Sequence, residues 1–104
     1  MSMSEALIPP ATFEFLVMSL RAQAEIQLGL VHLGKEEERP EPQLPHARHV
    51  IDTLAMLGEK TKGNLSLEEQ RLMENSLTEL RFLFVQASSR SATAAPVAEE
   101  SKKS

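Results

Sequence analysis

His46 and His49 stand three residues apart, and Asp52 follows three further on. On a helix that spacing puts two imidazoles and a carboxylate on one ridge, the residue types that hold zinc and related metals. A metal centre also needs three or four converging ligands, each steadied by a second hydrogen bond. This ridge falls on the polar side of its helix, close to the helix start. We read it as solvated histidines and expect neither metal nor cofactor. His32 stands alone on a polar stripe and is read the same way.

Gly58-Glu59-Lys60-Thr61 contains the residue types of a phosphate-binding loop in the wrong arrangement. Glu59 separates the glycine from the lysine, no strand precedes it, and no glycine lies five residues ahead of Gly58. A different anion site is conceivable at the next corner. Backbone N–H groups following Ser66 would open a helix there, with Lys60, Lys62, Gly63 and Asn64 alongside. The competing use of the same atoms is structural: Ser66 and Glu69 have capping-box spacing, and the lysines suit the end of the preceding helix. Ser19 and Ser76 occur within or beside apolar stripes, but neither has a histidine at helical spacing, so no catalytic residue is assigned and no enzyme is expected.

Composition narrows the remaining classes. The 104 residues carry 11 Lys and Arg against 15 Asp and Glu, a net charge of −4, and 41% are apolar. Cysteine, tryptophan and tyrosine are absent, and the four aromatics are Phe13, Phe15, Phe82 and Phe84. Without cysteine there is no disulfide, thiolate metal site or cysteine nucleophile. An acidic chain this poor in aromatics lacks the basic field and stacking platform of a nucleic-acid binder. No stretch approaches the roughly 18 uncharged apolar residues of a membrane span. The segment before Phe13 has Glu5 and no lysine or arginine, unlike a secretory leader, so a cytoplasmic location is the default expectation.

The elements that position these residues follow from periodicity. Residues 1–11 are small and polar around Pro9-Pro10, and residues 88–104 are poor in large apolar side chains and predict a disordered tail. Between them, residues 12–87 predict a domain of three helices. The first runs from a Thr12 cap to Leu33, before Gly34, with Phe13, Leu16, Val17, Leu20, Ala24, Leu28 and Val31 on one face. A charged connector with three prolines follows. The second helix spans Pro45 to about Lys62 and buries Ala47, Val50, Ile51, Leu54, Leu57 and Thr61. Gly63 or Asn64 closes it in a left-handed conformation, and Ser66 with Glu69 opens the third helix, making an antiparallel hairpin. On the third helix the core stripe is Leu72, Met73, Leu77, Leu80, Leu83, Phe84 and Ala87.

The hairpin sequence also resembles a known family. Ile51-Asp52, Leu54, Met56-Leu57, the run Glu59-Lys60-Thr61-Lys62-Gly63-Asn64-Leu65, Leu80-Arg81 and Phe84-Val85 are similar to DUF1844, a bacterial family of domains of unknown function. The resemblance extends over residues 13–86, and the Lys-Thr-Lys-Gly-Asn run is its most specific part. It implies a bacterial, cytoplasmic, all-helical domain. It brings no activity and no catalytic residues.

Apolar side chains exceed what one hairpin covers. Phe15, Met18, Ala22, Ile26, Leu30 and Leu33 form a second row on the first helix, nearly opposite the core face, and Phe82 and Val85 fall off the stripe of the third. Such a patch is larger than monomers ordinarily leave in water, and two-fold pairing is the commonest remedy. We therefore expect an all-α fold: a long N-terminal helix packed on an antiparallel helical hairpin, paired into a dimeric bundle. The functional expectation is a non-catalytic module that dimerises and holds a protein partner. The alternative is a binder of an anionic ligand or nucleic acid at the Lys60–Asn64 corner.

Overall fold

In the computed structural model, which describes residues 8–31, 34–35 and 39–94 and side chains as far as Arg90, the first helix begins where Thr12 supplies a cap. Its hydroxyl accepts the Phe15 N–H at 3.0 Å, satisfying one of the donors a helix start leaves open. The helix, α1, spans Phe13–Gln27. It is followed by α2, Leu44–Lys60, and α3, Leu67–Ala94. All three pairs of helices touch, and no strand occurs among the described residues.

The first helix is shorter than its apolar rhythm predicts. Gly29 takes φ of 78°, in the left-handed region that glycine adopts without steric cost. Its N–H donates to the Ile26 carbonyl at 3.0 Å, and the Leu30 N–H reaches the Glu25 carbonyl at 3.0 Å. These are the paired bonds of a Schellman motif, which ends the helix at Leu28. The expected long N-terminal helix is thus corrected: α1 has 15 residues and α3, with 28, is the longest. The boundary at residue 87 is corrected too. Ser88 to Ala94 continue α3 as helix, while residues 1–7 and 95–104 lie outside the described residues.

The hairpin corner has its expected parts. Gly63 has φ of 87°. The Ser66 N–H donates to Glu69 Oε1 at 2.8 Å, and the Glu69 N–H donates to Ser66 Oγ at 3.1 Å, a reciprocal capping box. Pro45 sits in the first turn of α2, where its missing N–H costs nothing.

Packing fixes the directions of the helices. Leu28 of α1, Ala47 of α2 and Ala87 of α3 form one buried cluster, and Val17, Ala24, Val50, Ile51, Leu54, Met73 and Leu80 form the other. The C-terminal end of α1 therefore meets the N-terminal end of α2 and the later part of α3. Hence α1 runs antiparallel to α2 and alongside α3 in the same sense. Leu28, Leu54 and Leu80 are fully buried, each stabilising the fold by about 1.5–3 kcal/mol of transfer free energy.

Candidate interaction site

A helix that spends one ridge on its core turns the opposite ridge to solvent. In α1 the core ridge is Phe13, Val17, Leu20, Ala24 and Leu28. At 3.6 residues per turn, Phe15, Met18, Ala22 and Ile26 fall on the other side. All four are exposed, Ile26 by 54%. On α3, Phe82 is 60% and Val85 64% exposed. Leu16, expected on the core face, is also exposed and widens the apolar surface of α1.

Two members of the expected row do not join it. Leu30 follows the Schellman turn, so it leaves the helical register and packs half-buried against the Leu28, Ala47 and Ala87 cluster. That placement removes it from an outward row. Leu33 lies outside the described residues.

Arg21 and Glu25 are half-buried at the junction of α1 and α3. Arg21 Nε donates to Glu25 Oε2 at 3.3 Å, and its terminal nitrogen donates to the Glu79 carboxylate of α3. One turn beyond Glu79 comes Phe82. The ion pair thus links α1 to α3 across residues far apart in sequence, which no local pattern discloses.

The Lys60–Asn64 corner is exposed except at Thr61. Three backbone donors there are already engaged: the Lys62 N–H reaches the Glu59 carbonyl at 3.3 Å, the Asn64 N–H the Thr61 carbonyl at 2.9 Å, and the Glu69 N–H the Ser66 hydroxyl. The Glu69 carboxylate occupies the mouth of α3, so an incoming anion would meet like charge. His46, His49 and Asp52 lie exposed along α2. Among the described residues, no three His, Cys, Asp or Glu side chains are placed to hold a metal ion. Ser19 is exposed. Ser76 is fully buried, with no hydrogen-bond partner for its hydroxyl among the described residues.

Among the described residues, no helix is long and apolar enough to cross a membrane. A family model described as Domain of unknown function (DUF1844) matches residues 10–86 of the chain. No curated protein and no solved structure matches it.

Proposed function

The chain belongs to the DUF1844 family, and we propose that it acts as a non-catalytic helical module of the cytoplasm, pairing with a second copy of itself to form a platform for a protein partner. One observation carries this reading: α1 buries one ridge in its own domain while Phe15, Met18 and Ile26 stand exposed in register on the opposite ridge. Covering aliphatic and aromatic surface yields roughly 25 cal/mol per Å², and a second copy presents the same ridge. Ala22 lies in the middle of that row, where a small side chain permits close approach of another helix.

Catalysis has no comparable support. Ser76 is sealed in the core, and the exposed histidines lie along one outer face of α2. Light scattering over a series of protein concentrations tests the proposal. A mass that rises from one chain to two in the micromolar range supports pairing, and a single-chain mass throughout contradicts it.

A further inference from the structure

We draw no further inference here: the strongest candidate, the cleft between α2 and α3 floored by Ile51, Phe84 and Val85, is lined by basic and acidic side chains in equal number, and nothing in the structure shows what covers it.

Discussion

A Cβ placed on Gly29 would lie 2.5 Å from the carbonyl oxygen of Pro40. The connector thus returns across the end of α1 at a distance that only glycine permits. The Gln43 N–H donates to the Gln27 carbonyl at 2.6 Å, tying the end of the connector to the last turn of α1 just before α2 begins. Helix termination and connector path are fixed together at one residue.

Gly29→Ala meets two penalties, a left-handed φ and a backbone collision, whereas Gly63→Ala meets the φ penalty alone, with open space around its Cβ. The left-handed conformation costs an L-residue about 1–2 kcal/mol. Urea unfolding should therefore show Gly63→Ala destabilised by about that amount and Gly29→Ala by clearly more. Equal losses for the two variants would mean that the connector does not pass over Gly29.

The same residue marks where sequence reasoning ran short. Val31 and Leu33 keep the 3.6-residue rhythm beyond Gly29, so periodicity extends α1 to Leu33, while the chain turns at Gly29, whose left-handed φ ends the helix where Pro40 packs against it. By contrast, α2 and the corner after it were legible, since Ala47, Val50, Ile51 and Leu54 repeat at helical spacing and Gly63, Ser66 and Glu69 carry their own local chemistry. The end of α3 was not, because Ser88 to Ala94 lack the apolar anchors that reveal a helix by pattern. Of the outward row, Phe15, Met18, Ala22 and Ile26 could be read from the wheel. The Arg21–Glu79 pair needed the packing of elements far apart in sequence.

Ser66→Ala removes the side chain that accepts the Glu69 N–H at 3.1 Å. Loss of such a cap costs about 1 kcal/mol. A chemical melt should show that decrease, and Ser66→Asp, which can accept the same bond, should recover most of it. A Ser66→Ala protein as stable as wild type would show that the capping box contributes nothing.

Ser76→Ala should go the other way. The Ser76 hydroxyl is fully buried and finds no partner among the described residues. Burying an unsatisfied polar group costs about 1–3 kcal/mol, which alanine avoids while also favouring the helix. The midpoint of thermal unfolding is expected to rise. A fall would mean that the hydroxyl is satisfied in solution.

Arg21 and Glu79 should couple weakly. Arg21 is half-buried, but Glu79 is exposed to solvent, and pairs of that kind contribute about 0.2–1 kcal/mol. A double-mutant cycle with Arg21→Gln and Glu79→Gln should return a coupling in that range at low salt, shrinking as salt screens the charges. Zero coupling at low salt would place the two side chains apart in solution.

The central claim is that the outer ridge of α1 is where two copies meet, and sedimentation equilibrium of wild type beside Ile26→Glu tests it most directly. An ionised carboxylate buried in an apolar seam without a partner is strongly unfavourable. Wild type should sediment as a dimer at micromolar concentration, Ile26→Glu as a monomer, and Glu25→Gln, one residue away on the flank, still as a dimer. A compact wild-type monomer at the highest concentration reached, or an Ile26→Glu protein that remains dimeric, would contradict the claim.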